Sequence, residues 1–236
     1  MKNLPLTTPD NDSVQSKFNE VSKKINILYM DEETSMMLAG VFGLYDQNIQ
    51  FDNVVQDWFI ISAQWAWNDG KVESISVLDD PEAFKKDHTN DDVVVRKLHE
   101  LLYKADLVVF HNGNAFDMKK FNARAIKLGL EPIMEVKTFD TLLEARRKFK
   151  FTSNKLGDLC KILDVEDRKL KPDVPNAWIK ATMGDPEAIK SIVTYGEGDI
   201  PTLREIFKKI VPWSASQERL VKHFEKKFKV ASSGPQ

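Results

Sequence analysis

Residues 107–111 read Leu-Val-Val-Phe-His, an unbroken apolar run that stops at Asn112-Gly113-Asn114. A continuous run of this kind fits a central strand buried on both faces, which needs helices above and below it. The flanking segments supply them. Val94, Leu98, Leu101 and Leu102 recur on one face of 91–104, and 117–129 reads as a second helix, closed by Gly129. A strand held between two such helices is the strongest constraint on how this chain can fold.

The rest of the chain fits around it. Residues 25–30, 37–45, 58–67 and 72–78 read as four strands, and Asn68-Asp69-Gly70 marks a hairpin between the last two. Residues 135–139 form a short strand, 141–150 a basic helix and 156–163 another helix. The segment 185–210 opens with a capping Asp185 and with Pro186 at the first helical position, and Ile189, Ile192 and Val193 form its apolar face. Hairpins followed by alternating strands and helices imply an α/β fold, a mixed β-sheet with helices packed on it. The expected organisation is a polar, loose segment over 1–24, one domain over 25–230 and a disordered tail over 231–236. A chain of 236 residues buries roughly 70 % of its unfolded surface.

Charge narrows the function. The formal net charge is −2, so bulk electrostatics do not draw the chain to nucleic acid or to anionic membranes, and polyanion binding needs a local basic patch. The stretches 146–150 (Arg-Arg-Lys-Phe-Lys) and 222–229 are the two candidates. The single cysteine, Cys160, forms no disulfide or zinc cluster within the chain and reads as a small buried apolar residue. This fits a reducing, cytoplasmic setting. No window approaches the apolar length of a membrane span, and residues 1–24 lack the apolar stretch of a signal peptide.

Three acidic sites stand out. The run 25–30 leads straight into Asp31-Glu32-Glu33. On a strand, Asp31 and Glu33 share a face, roughly 6–7 Å apart, with Glu32 on the other. Two such carboxylates at a strand end can hold a hard divalent cation. Asp117 follows the strand-to-helix turn in His-Asn-Gly-Asn-Ala-Phe-Asp, where an acid also stabilises the helix dipole. In Tyr-Gly-Glu-Gly-Asp, residues 195–199, helical backbone puts Tyr195 and Asp199 on one face. A phenol there can position a water, although a surface tyrosine beside a cap also fits.

Taken together, Asp-Glu-Glu-Thr, then Asn-Gly-x-x-Phe-Asp, then Tyr-x-x-x-Asp at intervals of about 80 residues resemble the DnaQ-like 3′–5′ exonucleases of the DEDDy type, phage-type members included. That family has an RNase H-like mixed sheet with helices on both faces. The resemblance implies that Asp31, Glu33, Asp117 and Asp199 hold two divalent ions, Mg²⁺ or Mn²⁺, with Asp31 bridging both. Glu33 and Asp199 would complete the water-activating ion, Asp117 would serve the second, and Tyr195 would hydrogen-bond the attacking water. It further implies that Thr34, Met36, Asn112 and Phe116 grip the 3′ end of a single strand. DNA is favoured, with proofreading or repair for a separate DNA polymerase as the role. An exoribonuclease and an inactive binding or polymerase-accessory module are the alternatives.

Two departures from the family pattern carry expectations of their own. Glu32 stands where the family usually has an apolar residue, so either the strand ends early or Glu32 finds a cation such as Lys155 or Arg124. Gly196, Gly198 and Pro201 crowd the third motif, and Pro201 removes the hydrogen bond to the Glu197 carbonyl. A kink near 196–199 is therefore expected. Trp65 and Trp67 read as core packing, and Asp140 as a helix cap.

Overall fold

The computed structural model describes residues 9–46, 48–134, 136–165 and 171–232. In chain order these form α1 (Pro9–Ser22), β1 (Ile27–Thr34), β2 (Leu38–Ala39), β3 (Val54–Gln56), β4 (Ile60–Trp67), β5 (Glu73–Ser76), α2 (Pro81–Lys86), α3 (Asp92–Lys104), β6 (Leu107–Phe110), α4 (Asp117–Lys127), β7 (Lys137–Asp140), α5 (Thr141–Lys148), α6 (Leu156–Ile162), α7 (Ala177–Thr182), α8 (Pro186–Ile210) and α9 (Ala215–Ser232). The main sheet has the order β5-β4-β1-β6-β7. Its first half is antiparallel, and β1, β6 and β7 run parallel. The sheet is mixed, as expected, and β6 is fully buried. The 68–70 hairpin joins β4 to β5, with Asn68 in the left-handed region.

Strand alternation divides the core in two. Leu28 and Met30 of β1 face one cluster, with Val94 and Leu98 of α3 and Phe121 and Ala125 of α4. Ile27 and Tyr29 face the other, with Phe139 of β7, Leu159 of α6, Ile200, Leu203 and Phe207 of α8, and Phe224 of α9. Both faces are therefore covered by helices. Cys160 is buried in the second cluster. Trp65 is buried and Trp67 packs against the first cluster, as expected of core residues.

Two expectations are corrected. The segment expected to be loose holds α1, whose Phe18 and Val21 are buried with Phe207 and Leu220. Val14, Phe18, Val21 and Ile25 follow helical spacing, a stripe masked by the polar residues between them. Residues 1–8 and 233–236 lie outside the described residues. Residues 37–45 do not form a main-sheet strand. Only Leu38–Ala39 pair, and they pair with β3. Both edges of β1 are already taken by β4 and β6, and Gly40 and Gly43 interrupt the run. At the third motif, α8 does not break and runs through Pro201 to Ile210. The Thr202 hydroxyl donates to the Gly198 carbonyl at 3.3 Å.

Of the glycines that crowd α8, Gly196 has a packing role. A Cβ at Gly196 would lie 2.5 Å from Gln64 Oε1. Gln64 is fully buried on β4 and donates to Ser62 at 2.9 Å. It also stands opposite Asp31 in the β1–β4 ladder, so Gly196 lets α8 lie close over the face that bears Asp31. Gly196→Ala tests this. Helix propensity alone predicts a gain of about 1 kcal/mol, whereas overpacking predicts a loss of about 1–3 kcal/mol. Urea denaturation should show the loss, and adding Gln64→Ala should recover part of it.

Candidate active site

β1 extends to Thr34, so Asp31, Glu32 and Glu33 all lie on regular strand. Asp31 and Glu33 pair across the ladder with Gln64 and Ser62 and face α8. One turn after Gly196, Asp199 reaches the same place. Carboxylate oxygens of Asp31, Glu33 and Asp199 lie within 4.8 Å of one another. Tyr195 sits one turn earlier on α8, and its ring meets Trp178 of α7 edge-on at 5.5 Å between centroids.

Asp117 enters from the far side of β1. The chain leaves β6 through Asn112, which is left-handed at φ 74°, and Gly113, where a Cβ would strike the Phe110 ring. Asp140 holds this turn. Its carboxylate accepts from the backbone N–H of Asn112 at 3.0 Å and of Asn114 at 3.2 Å, and also caps α5 through Leu142 and Leu143. His111 bridges the Thr141 hydroxyl and the Asn154 carbonyl, both at 2.9 Å, tying β6 to the 151–155 loop. The turn delivers Asp117 at the start of α4, where it accepts from the Glu32 N–H at 3.2 Å.

These residues line one cleft of about 670 Å³. Asp31, Glu33, Asp117, Tyr195 and Asp199 all border it, with Asn112, Phe116 and Glu32. Asp117 lies outside the tight group formed by Asp31, Glu33 and Asp199. Thr34 and Met36 do not border this cleft. Met36 donates its N–H to Thr182 Oγ1 at 3.0 Å, and its side chain faces a neighbouring hollow with Trp178. Arg146 and the loop residues Thr152, Ser153, Asn154 and Lys155 complete the cleft wall. The roles drawn from the sequence left this loop out, although the polar run Thr-Ser-Asn-Lys ahead of a helix marked it. Of the two basic stretches, 146–150 reaches the cleft through Arg146. In 222–229, Lys227 binds Asp106 at the opposite end of β6.

Glu32 follows neither expected course. The strand does not end before it. Arg124 is held by Asp91 in a buried ion pair of 2.6 Å, and both Glu32 oxygens lack a hydrogen-bond partner. Burial pushes the Glu32 carboxyl well above the usual carboxylate range, and the Asp117 and Asp31 charges push it further, against Lys120. Burial likewise raises Asp117 to about 7, with the Asp140 charge adding and backbone N–H bonds opposing. The donor set is all oxygen and anionic, which suits hard divalent cations. Asp31, Glu33 and Asp199 offer converging ligand atoms for one.

The sign of the pH dependence follows. A folded-state pKa raised above an unfolded value of about 4 contributes stability that is full below that value and is lost as pH rises through the folded pKa. For Asp117 that loss runs from about pH 4 and is complete by about 7, and Glu32 adds to it in the same direction. Asp87, Glu100 and Glu218 are shifted downward, and their contribution changes below about pH 5. With chelator present, the melting temperature should therefore fall as pH rises from about 5 to about 7. Glu32→Gln should melt higher than the parent at the alkaline end and show a shallower fall. A flat or rising profile by calorimetry would contradict the burial of these acids.

Comparison with known proteins agrees with this architecture. Over 65 residues, 28 % of this chain and 4 % of the relative, the chain is 37 % identical to the DNA polymerase III PolC-type of Ureaplasma parvum serovar 3. It thus spans a small part of that relative's length. Its fold is similar to part of the family B DNA polymerase from the archaeon Pyrobaculum calidifontis, with a TM-score of 0.55 and 15 % identity over 84 % of this chain and 27 % of that one. A looser likeness, with a TM-score of 0.45 and 16 % identity, covers 91 % of this chain and 62 % of the Trypanosoma brucei RNase D in its GMP complex. The family model of the RNase H superfamily matches residues 65–211, more than half of the chain. On that match, and with the RNase H-like mixed sheet to carry it, this chain belongs to the RNase H superfamily.

Proposed function

We propose that this protein is a metal-dependent 3′–5′ exonuclease that shortens single-stranded DNA and releases nucleoside monophosphates. The observation that carries the reading is the convergence of Asp31, Glu33 and Asp199 oxygens within 4.8 Å, with Tyr195 and Asp117 on the same cleft. In this reading Asp31, Glu33, Asp117 and Asp199 hold two divalent ions, Mg²⁺ or Mn²⁺. When bound, the ions offset the carboxylate repulsion and the charge that develops on the phosphate.

The remaining roles belong to the chain's own groups. The Tyr195 phenol, steadied by Trp178, orients the water whose oxygen attacks phosphorus. The bond from phosphorus to the 3′ oxygen breaks, and that oxygen leaves with a proton. Phe116 is partly exposed on the cleft and stacks on a base. Asn112 meets the backbone beside it, and Thr34 and Met36, which lie outside the cleft, take no part in this reading. Arg146 and Lys155 on the cleft wall attract phosphate in a chain whose net charge is −2. Proofreading for a DNA polymerase is the role this activity fits, because the sequence relative is itself a DNA polymerase.

Two measurements test this. A 5′-labelled single-stranded DNA should be shortened one nucleotide at a time from its 3′ end with Mg²⁺ or Mn²⁺ and not with EDTA. Asp31→Ala should lower the rate on the order of 10²-fold or more. An RNA of the same sequence, cut faster than the DNA, would reassign the substrate, and inertness toward both would leave a binding module. Separately, Mg²⁺ or Mn²⁺ should raise the melting temperature of the parent protein, worth about 2.7 kcal/mol at a hundred times the dissociation constant. Asp31→Ala should lose that gain.

A further inference from the structure

Between β1 and β4 the chain makes an excursion, residues 36–57, whose root is well tied. Gln56 Nε2 donates to the Thr182 carbonyl at 3.0 Å, and Met36 N–H to the Thr182 hydroxyl. Gly40 N–H donates to the Asn53 carbonyl at 2.9 Å, and β2 pairs with β3. Beyond this root the flap turns large apolar side chains to solvent. Phe42 is fully exposed, Leu44 is 89 % exposed, Phe51 87 %, Tyr45 83 % and Val55 79 %, with Val41 half exposed. A two-stranded ribbon is marginal in water by itself, and an apolar surface of this extent marks an interaction site.

Charge selects the occupant. Residues 36–57 contain Asp46, Asp52 and Asp57 and no Lys or Arg. Surfaces that bind single-stranded nucleic acid join aromatic platforms to a basic groove. Here phosphates stacked along Phe42 and Phe51 would meet carboxylates instead. The same carboxylates oppose an anionic membrane, and a second copy of the flap would bring like charge against like. A protein surface with an apolar groove bordered by Lys and Arg satisfies both features, the groove taking the apolar side chains and the border pairing with the aspartates.

We propose that the 36–57 flap docks a protein partner through an apolar groove rimmed with basic residues. The flap grows from the strand that carries Asp31 and Glu33, so a partner held there lies beside the carboxylate cleft. The proposal does not depend on which nucleic acid that cleft cuts, or on whether it cuts one.

The test uses the full chain and two synthetic amphipathic helical peptides, one of Leu and Lys and one of Leu and Glu, in titration calorimetry. The parent protein should bind the Leu/Lys peptide, more weakly at high salt, and not the Leu/Glu peptide. Phe42→Ser combined with Leu44→Ser and Phe51→Ser should weaken that binding by at least about tenfold. Asp46→Asn with Asp52→Asn should weaken it as well. Unchanged melting temperatures would show that the variants fold, since the altered side chains lie outside both cores. Equal binding by all forms, or no binding by the parent, overturns the proposal. So does a matching tenfold loss of oligothymidylate binding in the triple variant, which would make the flap a base-stacking surface. A parent that sediments as a dimer beside a monomeric triple variant would make it a self-association surface instead.

Discussion

The close approach of α8 to the sheet governs where everything else in the site can be. A helix that bears a side chain at position 196 stands off from Gln64, and Asp199 and Tyr195 stand off with it. With glycine there, the backbone of α8 lies directly over the β4 residue that faces Asp31. Three carboxylates from two elements more than 160 residues apart then share one point. The helix is long enough to serve both cores. Ala188, Ile189 and Ile192 pack into one cluster, and Ile200, Leu203 and Phe207 into the other. Its position is thus anchored at both ends, and the glycine sets its height between them.

That arrangement concentrates like charge in a place of low dielectric. Strand alternation spreads the cost. Asp31 and Glu33 face α8, whereas Glu32 turns toward Asp117 and α4. The guanidinium of Arg124 is held by Asp91, which also accepts the Ile60 N–H at 2.9 Å. The ion pair secures α4 against the start of α3 and β4, and leaves the acids at the end of β1 with the Lys120 charge near Glu32, protons and cations from solution to offset them. Stability and affinity for divalent ions are therefore coupled through the same carboxylates.

Much of this was legible from local pattern. The apolar run of β6, the helical spacing of α3 and α4, the 68–70 hairpin and the cap of α8 all depend on neighbours in sequence, and each forms where its pattern places it. The two segments that read wrongly failed for opposite reasons. In α1 an apolar stripe of Val14, Phe18 and Val21, continued by Ile25 just beyond it, was hidden by polar neighbours, and it becomes helix because α9 and α8 offer it a surface. In 37–45 the apolar residues were plain to see, but both edges of the neighbouring strand β1 were already taken by β4 and β6. Gly196 of α8 reads locally as a weakness, and tertiary packing against Gln64 gives it a role.

The sequence by itself determined which residues have chemistry to offer. The acids, the tyrosine one turn before Asp199 and the alternation that sets Asp31 and Glu33 on one face follow from strand and helix periodicity, which the backbone imposes over a few residues. Only the tertiary structure decided which of these meet. It grouped Asp31 and Glu33 with Asp199, set Asp117 beside Glu32, left Glu32 buried without a hydrogen-bond partner, and turned the 36–57 flap outward. Those outcomes depend on helix-to-sheet spacing and on which strand edges are free, and both are settled by contacts between residues far apart in the chain.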